Sequence, residues 1–327
     1  MSREETLLRV EGVKKYFEIR RGLLGEPQYV KAVDDVSFDL QKGEAISIVG
    51  ESGSGKTTLG LTILRLYEPT EGKITIKDKD ITHTGQSDLM WYRQEASLIQ
   101  QDPFGALPSF FTIYRILEEP LIVHKVGDRI KRREKIYKAL EDVRLTPIED
   151  FITKYPHMLS GGQLQRVAIA RALILDPELV IADEPVSMLD ASVRVEILTL
   201  LRELQEEMKI SFIYITHNLA LTKYFSERLF IMYAGKIVEA GDIRELTENP
   251  LHPYTQALLS AIPDPDPENK KKLRDIPHGE PPNLIDLPSG CRFHPRCPYF
   301  MDICKTDPPI IERDNDRYTL CWLYVKD

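Results

Sequence analysis

The sequence predicts an α/β protein, a parallel-sheet core built around a phosphate-binding loop, with a small irregular cysteine-containing extension at its C-terminal end. Three observations predict it. Apolar strand patterns alternate with helical ones along most of the chain, as they do when crossover helices link the strands of a parallel sheet. A glycine-rich loop lies between a continuous apolar run and a helical segment. From about Pro250 the texture changes, and more than half of the chain's 22 prolines and all 4 cysteines fall beyond that point.

In chain order, "LLRVEGV" (7–13) and "VSFDL" (36–40) alternate apolar and polar residues, as half-buried strands do. "EAISIVG" (44–50) is a more continuous apolar run, typical of a buried parallel strand. "TTLGLTILRL" (57–66) follows as a helix. Residues from about 106 to 178 read as mainly helical, with "IKRREKIYKALEDVRL" (130–145) as an amphipathic helix. Strands return at "LVIAD" (179–183) and "ISFIYIT" (210–216), with a helix over 191–208 between them. "PDPDPENKKK" (263–272) cannot form regular structure and is expected to be an extended linker. No motif occurs twice.

Composition excludes several functions. The 327 residues, 42% hydrophobic, suffice for one large domain with additions or for two domains. A net charge of −8 opposes nucleic-acid binding, whose affinity comes largely from neutralising phosphates. The basic runs "KRREK" (131–135) and "KKKLR" (270–274) read as solvated faces. "MSREETLLRV" has no apolar core and is not a secretory signal. The longest apolar stretches, "LVIA" (179–182) and "LFIM" (229–232), fall far short of the ~20 residues that a membrane span needs. The chain is therefore expected to be soluble and cytosolic, in a compartment that disfavours disulfides.

"GESGSGKTT" (50–58) contains G-x-x-x-x-G-K-[ST]. Glycines let the backbone curl so that its N–H groups point inward at a phosphate chain, and the following helix adds its positive N-terminal dipole. The cradle would be Gly50, Glu51, Ser52, Gly53, Ser54, Gly55, Lys56, Thr57 and Thr58. Lys56 would reach the β- and γ-phosphates, and the Thr57 hydroxyl would ligate Mg²⁺. The bland alternative is a glycine-rich turn. "LVIADEP" (179–185) supplies the second half: its strand delivers Asp183 to hold Mg²⁺ and Glu184 to orient and polarise the attacking water. The alternative there is a solvated acidic turn. In "LSGGQLQR" (159–166), Ser160, Gly161 and Gly162 sit at a helix N-terminus and make a second anion site. Two phosphate-binding elements in one chain imply that two chains face each other and complete each other's sites.

"LSGGQ" between these two motifs resembles the signature of the ATP-binding cassette (ABC) ATPases. The resemblance implies their nucleotide-binding domain over residues 1–249: a P-loop parallel-sheet core, an antiparallel β subdomain and a helical subdomain at about 106–178. The extension would then be 250–327, with a linker to about 285 and a four-cysteine module from about 286. "QQDP" resembles the Q-loop, with Gln101 sensing Mg²⁺ and the transport partner. Gln163 completes the signature. "SMLD" (187–190) resembles the D-loop, with Asp190. "THN" places His217 where the family has a switch histidine on the γ-phosphate. Tyr16, in "VKKYF", fits the aromatic that stacks on adenine, a core tyrosine being the alternative; Tyr29 is a weaker candidate. The departures are Met188 where alanine is usual, Asn218 where aspartate is common, and "FGALPSF" (104–110), which should lie near the groove for the permease's coupling helix.

"YPHMLSGGQLQR", "ADEPVSMLD", "MYAGKIVEAG" and "NPLHPYTQALLSAIP", with the insertion "RRGLLGEP" and the cysteine tail, are similar to the ATPases of oligopeptide and dipeptide importers. Some members of that family carry oligosaccharides. The resemblance implies ATP hydrolysis at a head-to-tail dimer with a second, non-identical cassette, each ATP lying between one P-loop and the neighbour's Ser160, Gly161 and Gly162. It further implies two separate transmembrane permeases, an extracytoplasmic solute-binding protein and a place on the cytoplasmic face of the membrane. The rival is a soluble ABC ATPase without a transport role, usually marked by tandem cassettes or a long coiled coil, neither of which is visible. A third reading is a regulatory metal-binding protein that ATP merely switches.

The cysteines are spaced C-x5-C-x6-C-x16-C. That pattern has neither the C-x2-C pairs of common zinc sites nor the usual ferredoxin runs. Four thiolates suit Zn²⁺ or an iron–sulfur cluster, with His294 inside the loop not required. A metal centre would supply folding free energy that so proline-rich a tail lacks. Disulfides and simple thiols remain as other readings. The family resemblance implies a [4Fe–4S] cluster on Cys291, Cys297, Cys304 and Cys321, with zinc as the alternative.

Overall fold

The computed structural model describes residues 5–20, 26–262, 279–313 and 317–325. The expected linker 263–272, the run 270–274 and residues 21–25 of the "RRGLLGEP" insertion lie outside the described residues. The chain divides into two compact units, Met1–Leu7, Leu40–Glu44, His83–Tyr214 and Leu8–Asp39, Ala45–Thr82, Ile215–Asp327.

The second unit contains the phosphate loop. Its antiparallel sheet runs in the order Pro27–Gln41, Thr6–Arg20, Glu71–Ile76, Lys79–Asp80. Pairing of Leu8 with Ile76 and of Val10 with Ile74 turns every second residue onto the buried face. The strands predicted at 7–13 and 36–40 are thus parts of much longer ones. Beside this sheet, Ala45–Val49, buried at all five positions, pairs in parallel with Arg228–Tyr233. Arg228–Tyr233 forms a hairpin with Lys236–Asp242, which pairs onward with Tyr318–Thr319, and that with Ile311–Glu312.

The cysteine tail therefore joins the sheet as edge strands. Glu239, fully buried, pins it there, accepting the N–H groups of Leu251 and His252 at 2.9 Å and the Arg317 guanidinium at 3.1 Å. The start of the segment read as linker is in fact a helix, Pro253–Ser260, with His252 as its N-cap. Its Tyr254 packs with Tyr233 and Phe293 in the core, and burial of these rings makes the segment regular despite its prolines.

In the first unit, Ala96–Ile99 pairs in parallel with Leu179–Asp183. Most of the helices lie here, among them Ile113–Val123, Arg129–Asp142, Gly161–Leu173 and Ala191–Met208. The amphipathic pattern at 130–145 overshoots. Asp128 caps that helix by accepting from Lys131 N–H, but it ends at Asp142, because Arg144 takes a left-handed φ of 59°. Its basic run makes ion pairs, a part-buried one of Arg132 with Glu118 and a more exposed one of Lys135 with Asp176. The strand Ser211–Thr216 carries the chain from this unit into the other.

Candidate functional site: a nucleotide-binding loop and its carboxylates

The buried strand Ala45–Val49 runs into Gly50, and there only glycine fits: a Cβ would stand 2.1 Å from the Met232 carbonyl oxygen. Gly55 is as constrained, with φ +104° and a Cβ position 2.0 Å from the Ala32 carbonyl oxygen. Between them the backbone curls around the Lys56 ammonium, which donates to the Gly50 and Glu51 carbonyls at 2.8 Å each and to the Ser54 hydroxyl at 3.4 Å. The helix Lys56–Ile63 starts at once, so its first-turn N–H groups face the loop. Ser52, Gly53 and Thr57 are exposed, while Thr58 is half-buried.

The loop is held from outside as well. Gly235 N–H donates to the Ser54 carbonyl at 2.8 Å, and Glu51 N–H donates to the Tyr254 hydroxyl at 2.8 Å. Tyr16 is half-buried and donates its hydroxyl to Asp34. Burial and this bond push the tyrosine's pKa up. Burial works against the Asp34 charge, but the Tyr16 hydroxyl and the Arg292 guanidinium outweigh it and lower the carboxyl's pKa. The Lys31 ammonium stands 5.8 Å from the Tyr16 ring centroid. Tyr29 is exposed. His217, directly after the strand Ser211–Thr216, is exposed too, and the departure at Asn218 has a structural role: its side chain caps Leu219–Thr222 by accepting from Ala220 N–H at 3.1 Å.

The other unit carries the carboxylates and the signature. Asp183 is buried at the C-terminal end of its strand. Glu184 takes a left-handed φ of 45°, an unfavourable conformation for a residue with a side chain and one found mostly at functional sites. Its Oε2 accepts from Gln101 Nε2 at 3.2 Å, and its carbonyl accepts both the N–H (3.2 Å) and the hydroxyl (3.1 Å) of Ser187. Gln101, Glu184 and the turn leading to Asp190 therefore form one cluster. Asp190 is the exposed N-cap residue of Ala191–Met208, and Met188 is exposed beside it.

Ser160 and Gln163 form a capping box at the start of Gly161–Leu173. The serine hydroxyl accepts Gln163 N–H at 3.3 Å, and Gln163 Oε1 accepts Ser160 N–H at 3.0 Å. Gly162 has a second reason to be glycine, since a Cβ would lie 2.7 Å from Cγ1 of Val193 in the next helix.

None of the four cysteines is paired in a disulfide. Among the described residues, no group of three or more His, Cys, Asp or Glu side chains is placed to hold a metal ion, so the expected ligand set is not preassembled. The sulfurs nevertheless lie within one another's fields: burial pushes Cys321 up to about 12, and Cys291, Cys297 and Cys304 add to that rise. Burial likewise takes Cys291 to about 11 and raises Cys297. The nearby backbone N–H groups of Phe293, Tyr299 and Leu323 offset part of that rise at Cys291, Cys297 and Cys321.

A family model described as ABC transporter matches residues 33–187, and one for the C-terminal region of oligopeptide/dipeptide transporters matches residues 238–304. The oligopeptide transport ATP-binding protein AppF of Bacillus subtilis (strain 168) is 45% identical over 98% of this chain and 98% of its own. The dipeptide transport ATP-binding protein DppF of Haemophilus influenzae is 41% identical over 98% of this chain and 97% of its own. The chain belongs to the ABC transporter family. Its fold is that of an ABC nucleotide-binding domain: the dimeric, post-hydrolysis ATP-binding cassette MJ0796 bound to ADP and Pi covers 73% of this chain with 99% of its own, at 30% identity and a TM-score of 0.65. Among the described residues no helix is long and apolar enough to cross a membrane.

Thr57, Gln101 and Asp183 each carry the hard oxygen donor that Mg²⁺ takes. Reading the sequence missed the residues that brace the cassette's nucleotide loop from the tail, namely Tyr254 and Arg296, which bond Glu51, and Arg292, which bonds Asp34. "CRFHPRC" showed two arginines inside a cysteine loop, but nothing local says what they reach.

Proposed function

We propose that the chain is the ATP-hydrolysing subunit of an ABC importer for oligopeptides or dipeptides. The observation that carries this reading is similarity along almost the whole chain, tail included, to oligopeptide and dipeptide transport ATP-binding proteins. Those relatives favour peptides over oligosaccharides as cargo. In the proposed cycle, two cassettes pair head to tail, the partner being a non-identical chain. Lys56 and the P-loop amides bind the phosphates, and Tyr16 stacks on the base. Ser160, Gly161, Gly162 and Gln163 close over the neighbour's nucleotide, with Asp190 beside them. Thr57, Gln101 and Asp183 would hold Mg²⁺, which would supply neutralisation of phosphate charge. Glu184 holds the attacking water and takes up its proton, while Gln101 keeps the carboxylate oriented and His217 contacts the γ-phosphate.

Docking is to two permeases on the cytoplasmic face of the membrane, with a solute-binding protein on the far side. A cavity of about 320 Å³ lined in part by Ala106, Leu107, Val123 and Arg171, with Phe104 and Phe110 exposed nearby, supports the first unit as the permease-facing part. Cys291, Cys297, Cys304 and Cys321 would hold a metal centre, [4Fe–4S] in preference to zinc. The clustering of all four cysteines within residues 291–321 supports that assignment. The boundary between cassette and extension is placed near residue 250.

Glu184→Gln tests the ATPase reading. The variant should bind ATP, lose at least about 10²-fold in turnover and accumulate as a closed dimer with its partner cassette. Near-normal hydrolysis sinks the assignment. Iron, sulfide and zinc analysis of anaerobically purified protein decides the metal. About four irons and four sulfides per chain are expected, and stoichiometric zinc without iron overturns the cluster.

A further inference from the structure

Two arginines lie between the first two cysteines, and both are turned away from solvent into the nucleotide site. Arg296 is a fork on the Glu51 carboxylate, Nη1 to Oε2 at 2.9 Å and Nη2 to Oε1 at 3.2 Å, with Nη1 also 3.4 Å from the Tyr233 hydroxyl. Glu51 is the residue after the first glycine of the phosphate loop, and its N–H is already committed to Tyr254. Arg292 donates through Nη1 to the Ala234 carbonyl and through Nη2 to Asp34 Oδ2, and the other oxygen of that carboxylate accepts the Tyr16 hydroxyl. Gly235, next to Ala234, donates to the Ser54 carbonyl and accepts from Asp34 N–H, each at 2.8 Å. The two arginine side chains are only 8% and 9% exposed. The Arg292–Asp34 pair is therefore buried and the bidentate Arg296–Glu51 pair part-buried, both charge-assisted, rather than the exposed ion pairs that contribute little.

We propose that Arg292 and Arg296 are positioning residues for the nucleotide, and that through them the four-cysteine module forms part of the ATP site. Arg296 fixes the phosphate loop through Glu51; Arg292 fixes the aromatic platform through Asp34. The arginines are 245 and 258 residues beyond their acidic partners, so the tail closes over a loop folded from the other end of the sequence. Lysine does not replace either: its single ammonium cannot span both oxygens of Glu51, nor join Ala234 to Asp34 in the same plane. The inference rests on the P-loop holding nucleotide. It does not depend on which metal the cysteines take.

The test is MgATP and MgADP affinity of the full-length chain by titration calorimetry, with steady-state ATPase kinetics and a thermal melt on every variant. Arg296→Ala should weaken nucleotide binding about ten-fold or more, with the loss falling on KM rather than kcat. Arg296→Lys should recover only part of it. Glu51→Ala combined with Arg296→Ala should be no weaker than Arg296→Ala alone, because the pair acts as one unit. Arg292→Ala should raise the Kd for ATP and ADP alike, and Tyr16→Phe should not add to it. Should Arg296→Ala fold poorly, Tyr254→Phe keeps the ring and removes only the acceptor of Glu51 N–H, and it should move Kd in the same direction. A merely structural role would lower the melting temperature and leave Kd in place. Folded Arg296→Ala and Tyr254→Phe proteins that bind nucleotide within two-fold of wild type overturn the proposal. If wild type itself bound no nucleotide, the functional assignment would fail instead.

Discussion

Gly162→Ala is the sharpest test of how the signature helix is built. The added Cβ would lie 2.7 Å from Cγ1 of Val193, well inside the 3.5–4.0 Å at which carbon atoms pack best. Val193 cannot easily turn away, because a β-branched side chain in a helix has one strongly preferred χ1 and the valine sits in the first turns of Ala191–Met208. Overpacking of this kind costs about 1–3 kcal/mol. Against it, alanine for glycine near a helix start returns up to about 0.5–1 kcal/mol. The net is a loss of roughly 0.5–2 kcal/mol, a fall in melting temperature of a few degrees. In a Val193→Ala background the obstruction is gone while the backbone gain remains, so the sign reverses: Gly162→Ala should then be neutral or stabilising by about 0.5 kcal/mol. Urea denaturation of the four proteins in the cycle measures this directly. An equal effect of Gly162→Ala in both backgrounds would refute the packing argument.

Two further outcomes concern the junction of sheet and tail. Glu239→Ala leaves the buried Arg317 guanidinium and the N–H groups of Leu251 and His252 without their shared acceptor, and should destabilise the fold by about 3–5 kcal/mol in denaturant melts. His252, fully buried, has its pKa pushed by burial from 6.5 down to about 3. Unfolded protein therefore takes up a proton there before folded protein does. The stability this group contributes is complete above about pH 6.5 and is lost as pH falls toward 3, at up to about 1.4 kcal/mol per pH unit. His252→Asn keeps a side-chain acceptor for Tyr254 N–H and should flatten the acid limb of a stability–pH curve; an unchanged slope would show that other groups set it.

The chemistry was legible because it is local. The curl of 50–58 follows from glycines and a lysine a few residues apart, and the strand Leu179–Asp183 was read to the residue because a buried parallel strand needs an unbroken apolar run. Ala191–Met208 was equally clear, and it buries an apolar face from Ile197 to Leu204. The pattern failed where tertiary contacts override local preference. Arg144 ends a helix whose periodicity runs on, and Tyr254 turns an expected linker into a helix by filling a core that other segments create. Glu184's left-handed backbone has no sequence signal at all, since the residue type would ordinarily avoid it.

By itself, then, the sequence determined the curl of the glycine-rich loop, the buried strands at 45–49 and 179–183 and the helix at 191–208, because each depends on residues within a turn or two of one another. Only the tertiary structure decided which glycine is needed for packing, that Gln101 bonds Glu184, and that Arg292 and Arg296 reach Asp34 and Glu51. Such pairs are set by where the sheet brings distant segments together, and side-chain periodicity along the chain carries no information about that meeting.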